Sequence, residues 1–239
     1  MYAPVWFVGA GPGDPDLITV KGNHLVCNAD LLIYAGSLVN PELVQRSSAS
    51  DKYDSNGMSL EEMTPLMVTA AKQGKTVVRL HSGDPALYGA IIEQMALLRA
   101  EGIQCEVVPG VSSLFGAAAA LQSQLTLRGV SESVIITRPA GKTLESDHIA
   151  EYSRCHETMA IFLGSDRLDE VMKKVAHPRK TPAVVIYHAT WPDQKIIRGT
   201  VDDIAKKAKD AGINRSALLL IGEVFGEELP GHIRSDLYS

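Results

Sequence analysis

The sequence predicts an α/β protein made of two α/β domains, residues 1–122 and 123–239, with a ligand cleft between them. Three observations lead there. Short β-branched apolar runs alternate with helix-period segments along the chain, the pattern of a parallel or mostly parallel sheet with helices on both faces. The alternation pauses around residues 122–133 and then restarts. A length of 239 residues is enough for two units with cores of their own, and the space between two such units is a usual place for a ligand.

In the first domain, Val5–Gly9 reads as a strand, residues 16–29 as a helix and Leu31–Tyr34 as a second strand. Residues 59–73 read as a helix: Ser59 and Glu62 have capping-box spacing, and Leu60, Met63, Met67 and Ala70 share a face. Residues 76–81 follow as a strand, 87–99 as a helix ended by Gly102, 104–108 as a strand and 111–121 as an alanine-rich helix. In the second domain Val134–Thr137, 159–163, 183–188 and Ala217–Ile221 are strands, and 195–199 adds an antiparallel one. Residues 168–175 and 201–211 are the helices between them.

Composition excludes several classes of function. Lys and Arg number 23 against 28 Asp and Glu, a net charge of −5, so the basic footprint of a nucleic-acid binder is lacking. The N-terminus has no signal-peptide pattern, and the longest apolar runs, such as residues 218–221, are far too short to span a membrane. A cytoplasmic protein with no membrane partner is expected. Cys27, Cys105 and Cys155 are odd in number and far apart, which fits neither a disulfide framework nor a metal site, so all three are expected as small buried hydrophobes.

Three glycine-containing turns fall at predicted strand ends in the first domain: Gly9-Ala10-Gly11-Pro12-Gly13-Asp14-Pro15-Asp16, Ser82-Gly83-Asp84-Pro85-Ala86-Leu87-Tyr88-Gly89 and Pro109-Gly110-Val111-Ser112-Ser113. Ligands of open α/β sheets bind at the carboxyl ends of strands. Each turn also has a structural reading, since Asp14 before Pro15 and Asp84 before Pro85 match a helix N-cap followed by proline, and Ser112 is placed to cap the alanine-rich helix. Three such turns on one sheet favour a shared ligand site, and a capping residue can also touch a ligand.

A dinucleotide fits poorly. Asp14 stands where the third fingerprint glycine is due, and Asp30 precedes the second strand where a ribose-binding acid should follow it. There is no phosphate-binding P-loop, no G-x-S-x-G elbow, no H-E-x-x-H and no C-x-x-C. The seven histidines are scattered singly, and His81 and His188 stand out only because both fall at predicted strand ends. No residue is assigned as catalytic and no metal is expected. An enzyme needing little acid–base apparatus fits.

Taken together, the turns resemble those of the tetrapyrrole (corrin and porphyrin) methyltransferases. The likeness continues through Leu125-Thr126, Ile161-Phe162-Leu163-Gly164 and Val185-Ile186-Tyr187-His188-Ala189-Thr190-Trp191-Pro192, in order along essentially the whole chain. Tyr34-Ala35-Gly36-Ser37-Leu38-Val39 and Ala189-Thr190-Trp191-Pro192-Asp193 are similar to the branch of that family acting on precorrin-4. The resemblance implies an S-adenosylmethionine-dependent methyltransferase of cobalamin biosynthesis, a homodimer, methylating carbon 11 of precorrin-4 or its cobalt complex and leaving S-adenosylhomocysteine. It implies a cofactor site of Gly83, Asp84, Leu87, Ser112 and Ser113, closed by Leu163 and Ala189, and a tetrapyrrole trough that includes Gly11, Pro12, Gly13 and Asp14. The substrate's carboxylates call for cationic anchors, for which Arg79, Arg128, Arg138, Lys142 and Arg198 are candidates, although each alone reads as a solvated surface charge. Uroporphyrinogen-III or another corrin-ring methyltransferase is the alternative within the fold. An NAD-dependent oxidoreductase is the alternative outside it.

Overall fold

The computed structural model describes residues 2–229 and 231–234. The chain divides into two compact units, Met1–Phe115 and Gly116–Ser239.

The first unit is built on a five-stranded parallel sheet. Its strands are β1 (Val5–Gly9), β2 (Leu31–Tyr34), β3 (Asp51–Asp54), β4 (Val77–His81) and β5 (Cys105–Val108), in the order β3-β2-β4-β1-β5. All pairings are parallel, as the alternating pattern requires. One sheet face, with Val5, Phe7, Ile33 and Val77, packs on α3 (Leu60–Lys72) and α4 (Ile91–Ala100) through Met63, Met67, Met95 and Leu98. The other face, with Val8, Leu32, Val78 and Leu80, packs on α1 (Val20–Cys27) and α2 (Pro41–Arg46) through Val26 and Leu43. The capping box at Ser59 forms in both directions, Glu62 N–H to Ser59 Oγ at 3.2 Å and Ser59 N–H to Glu62 Oε2 at 2.7 Å.

The second unit holds β6 (Val134–Thr137), β7 (Thr158–Ile161), β8 (Pro182–Tyr187), β9 (Lys195–Thr200) and β10 (Ala217–Ile221), ordered β6-β7-β10-β8-β9. Here the expected mostly parallel pairing is corrected, because only β6 and β7 pair in parallel. β10 enters between β7 and β8 and runs against both, and β9 returns from β8 after a short turn. Such short returns demand antiparallel partners. The antiparallel β9 is as expected. A core of Met159, Ile161, Val171, Val185, Ile204 and Leu219 joins this sheet to α7 (Leu168–Lys174) and α8 (Ile204–Asp210).

Several expected boundaries move, each for a local reason. The helix expected over 16–29 is broken by extended backbone at Ile18 and Thr19. Only Pro15–Leu17, a 3-10 turn, precedes the break, and Thr19 caps α1. The helix expected from residue 87 begins at Ile91, because Tyr88 and Ala90 adopt left-handed backbone. α5 (Ser113–Leu121) starts two residues later than expected, after Ser112 Oγ accepts from Leu114 N–H at 3.3 Å. β3, α2 and α6 (Ile149–Tyr152) lie where no element is expected. β3 is exposed at all four positions and shows no apolar alternation. Cys155 is exposed, against the expectation of burial, while Cys27 and Cys105 are half-buried. No helix of the described residues is long and apolar enough to cross a membrane.

β4 is the middle strand of the first sheet and carries two buried polar side chains, Arg79 at 6% exposure and His81 at 5%. Burial lowers the His81 pKa from its ordinary 6.5 to about 3, helped by the charge of Arg79. The unfolded chain binds this proton near pH 6.5, whereas the folded chain resists it down to about pH 3. Stability from neutral His81 is therefore complete above that upper value and falls as the pH drops through the window. His81→Phe keeps the ring stacked near Phe7 and removes the unpartnered Nε2. Urea midpoints measured between pH 7 and 4 should fall less steeply for His81→Phe than for the native protein. His177, also lowered by burial, retains its share of the acid sensitivity.

Candidate functional site

Parallel register brings three turns to one level. Gly9 pairs with His81, and Val8 with both Leu80 and Val108, so the carboxyl ends of β1, β4 and β5 coincide. The turns beginning at Gly9, Ser82 and Pro109 therefore emerge side by side. Gly11 and Gly83 exchange backbone hydrogen bonds, Gly11 N–H to Gly83 O at 3.2 Å and Gly83 N–H to Gly11 O at 2.8 Å. A Cβ at Gly9 would lie 2.6 Å from Gly110 Cα and 2.7 Å from the Gly83 carbonyl oxygen, and one at Gly110 would overlap that same oxygen. These glycines are needed because backbone lies against backbone where no side chain fits.

Asp84 locks the arrangement. Its Oδ1 accepts from Ala86 N–H at 2.8 Å, and its Oδ2 accepts from Gly110 N–H at 2.8 Å across 26 residues. The expected helix cap at Asp84 is thus corrected, since the carboxylate caps a turn and ties it to the neighbouring one. The expected cap at Asp14 is present, with Oδ1 accepting from Asp16 N–H at 2.9 Å. Gly11, Pro12 and Gly13 are buried, and the Gly13 carbonyl accepts from Asn40 Nδ2 at 2.9 Å. Leu87 is half-buried, Ser112 buried and Ser113 half-buried.

In the second unit, β7 and β8 both run against β10, so their carboxyl ends share an edge of the sheet. Ile161 and Val185 both pair with Leu219, which sets Leu163 level with Tyr187. Leu163 is 59% exposed with a φ of 54°. Ala189 is buried between His188 and Thr190, whose φ values are 47° and 70°. Left-handed backbone at residues other than glycine costs on the order of 1–3 kcal/mol each and collects at functional sites. The His188 ring stacks on Tyr187 at 3.8 Å between centroids, lies 5.2 Å from the Trp191 ring, and bonds through Nδ1 to Asp193 at 3.0 Å. At the opposite edge, beyond the end of β10, a cavity of about 510 Å³ is lined by Leu121, Leu127, Arg198, Phe225 and Leu229 among others. Topology separates it from Leu163 and Ala189.

Among the five candidate anchors, Arg79 is not the solvated surface charge that its residue type suggests. It is buried, its pKa is lowered to about 10 by burial against a small opposing effect of Asp54, and its hydrogen bonds go to Gln94, Ile33 O and Leu80 O. Arg138 bonds Thr143, and Arg198 is exposed. Sequence reasoning missed the left-handed residues Tyr88, Ala90, Leu163, His188 and Thr190. Only His188 is of a type enriched in that region, so the conformation of the other four leaves no local signal. Among the described residues no group of His, Cys, Asp or Glu is arranged to hold a metal ion.

An all-parallel sheet whose strand ends carry three interlocked turns, followed by a mixed sheet with strained strand ends, describes a known class of protein. The profile of the tetrapyrrole (corrin/porphyrin) methylases matches residues 4–205, and the chain belongs to that family. Its particular kin are found among enzymes of the cobalamin precursors. The cobalt-precorrin-4 C(11)-methyltransferase of Methanocaldococcus jannaschii is 50% identical over 226 residues, 92% of this chain and 87% of the relative. The precorrin-4 C(11)-methyltransferase of Pseudomonas aeruginosa is 42% identical, covering 98% of this chain and 94% of the relative. The crystal structure of a cobalt precorrin-4 methyltransferase superposes with a TM-score of 0.90 at 44% identity, over 93% of this chain and 96% of that one. A uroporphyrin-III C-methyltransferase of Thermus thermophilus, complexed with S-adenosylhomocysteine, superposes at 0.80 with 26% identity, over 93% and 98%. The family and the α/β architecture read from the motifs are those found.

The lock at Asp84 is directly testable. Asp84→Ala removes an ionised acceptor from two backbone donors and should cost roughly 2–3 kcal/mol in urea unfolding, whereas Asp84→Asn, which keeps one acceptor, should cost about half as much.

Proposed function

We propose that this protein transfers the methyl group of S-adenosylmethionine to carbon 11 of cobalt-precorrin-4 or precorrin-4. The observation that carries the reading is similarity along nearly the whole chain, 50% identity over 92% of it, to a relative of that activity. The cobalt-bearing substrate is preferred, because two relatives so named are 50% and 45% identical against 42% for a precorrin-4 enzyme.

The residues present suit such a cofactor. Leu163 offers an exposed apolar side chain and Leu87 a half-buried one, fit to cover an aromatic base. The backbone of Gly83, Ser112 and Ser113 and the Ser113 hydroxyl are suited to polar contacts, and Ala189 is assigned to the cofactor as well. Asp84 holds the turn that carries Gly83 and Leu87 through its bonds to Ala86 and Gly110. Gly11, Pro12, Gly13 and Asp14 are assigned to the macrocycle side. When bound, the cofactor supplies a sulfonium methyl, an electrophile that an electron-rich ring carbon takes directly. The protein's task is to align the two reactants and exclude water, which supplies on the order of 7–11 kcal/mol. Turn carbonyls favour the cationic sulfur by simple Coulomb attraction. The enzyme is further read as a cytoplasmic homodimer, for which sedimentation equilibrium should give the mass of two chains.

The deciding experiment incubates purified protein and S-adenosylmethionine with cobalt-precorrin-4, precorrin-4 and uroporphyrinogen III, followed by mass spectrometry. One added methyl on a precorrin-4 species, mapped to carbon 11, is expected. Methylation of uroporphyrinogen III alone would overturn the substrate, and methylation of no acceptor would overturn the activity.

A further inference from the structure

The turn between β4 and α4 is held by side chains that the transfer itself does not use. Tyr88 and Ala90 have φ values of 59° and 48°. Nothing in either residue favours that conformation. Between them, Gly89 presses on Pro85 so closely that a Cβ would overlap the Pro85 carbonyl oxygen. Ala90 occupies the N-cap of α4 without any side-chain cap bond.

The restraint comes from below. Gln94, 3% exposed, donates from Nε2 to the Ala90 carbonyl at 3.0 Å. Its Oε1 accepts from Arg79 Nε at 3.2 Å. Arg79 is fixed in turn by Nη1 donating to Leu80 O at 3.3 Å and Ile33 O at 3.4 Å. A guanidinium has donors only, so it compels the Gln94 amide to present oxygen to Arg79 and nitrogen to Ala90. A buried relay therefore runs from the middle of β4 to the strained turn.

We propose that Arg79 and Gln94 are positioning residues for methyl transfer, holding the Ala90 carbonyl so that Tyr88 and Ala90 stay left-handed and Leu87 and Tyr88 face the bound reactants. Neither residue contacts the reacting atoms. The inference rests on the assignment of Leu87 and its neighbours to the cofactor site.

Two substitutions separate this role from simple filling of the core. Gln94→Met keeps the volume and removes both hydrogen bonds. Gln94→Glu keeps an acceptor for Arg79 and loses the donor to Ala90. Each is titrated calorimetrically with S-adenosylhomocysteine, and steady-state constants are measured for the cofactor. Both variants should fold and bind with Kd raised about fivefold, the worth of one hydrogen bond, with cofactor KM rising more than kcat falls. Adding Ala90→Gly to Gln94→Met should recover affinity, because glycine enters the left-handed region freely. Native affinity in Gln94→Glu would overturn the proposal, since Gln94 would then serve only to satisfy Arg79. Native affinity in both variants would overturn it as well. If Gln94→Met fails to fold, Gln94→Glu decides alone. Failure of the native protein to bind S-adenosylhomocysteine would overturn the cofactor-site assignment instead, so the two failures are distinguishable.

Discussion

The first unit depends on one backbone contact, where Gly9, Gly83 and Gly110 meet at the ends of the three strands β4, β1 and β5. Parallel pairing puts these ends at one level, and only the absence of a Cβ lets the chains approach so far. Every turn that leaves this point inherits its direction from it. Asp84 then fixes the meeting point with an ionised acceptor shared between two turns. Charge-assisted hydrogen bonds are the stronger kind, which suits a bond that must set the spacing of two loops. The glycine-rich opening resembles a nucleotide fingerprint in letters but differs in physics: its space is filled by protein backbone.

Strain is placed where the strands end. In the first unit, Tyr88 and Ala90 are left-handed after β4. In the second, Leu163 follows β7, and His188 and Thr190 follow β8. Such residues persist only when their surroundings over-determine them. For His188 the surroundings are visible: stacking on Tyr187, the Asp193 carboxylate at Nδ1, and its own N–H donating to Ser216 O at 3.3 Å. For Thr190 the backbone N–H donates to Gln194 Oε1 at 2.7 Å. In both units an amide side chain meets the backbone of a strained turn.

Much of this was legible in the sequence, for stated reasons. The parallel first sheet follows from strand-length apolar runs separated by helix-length segments, and the turns announce themselves by glycine and proline. The capping box at Ser59 and the caps at Asp14 and Ser112 are short-range chemistry and can be read from spacing alone. What escaped is nonlocal. β3 is exposed on every residue and exists because β2 offers it an edge. The antiparallel insertion of β10 depends on the order of strands in space, which periodicity does not encode. Arg79 reads as a surface cation until Gln94, fifteen residues on, is seen to meet it in the interior.

The titratable groups near these turns are withdrawn from proton chemistry. His81 directly precedes the Ser82–Gly83 turn, yet burial lowers its pKa to about 3 and so keeps it neutral near pH 7. It can neither gain a proton cheaply nor expose one to a ligand. Arg79 is spent on carbonyls and an amide, and both oxygens of Asp84 accept from backbone. Beside them, the turns after β4 and β5 present shaped backbone, the half-buried Leu87 and the Ser113 hydroxyl. Such a surface is ill suited to general acid–base catalysis, which needs a group titrating near the working pH. It is well suited to a reaction whose donor arrives already activated, where rate follows from geometry held fixed. On the proposed assignment of the cofactor site, stability and function converge on the turns, because the bonds of Asp84 that lock the loop after β4 also fix the backbone of Gly83 and Leu87.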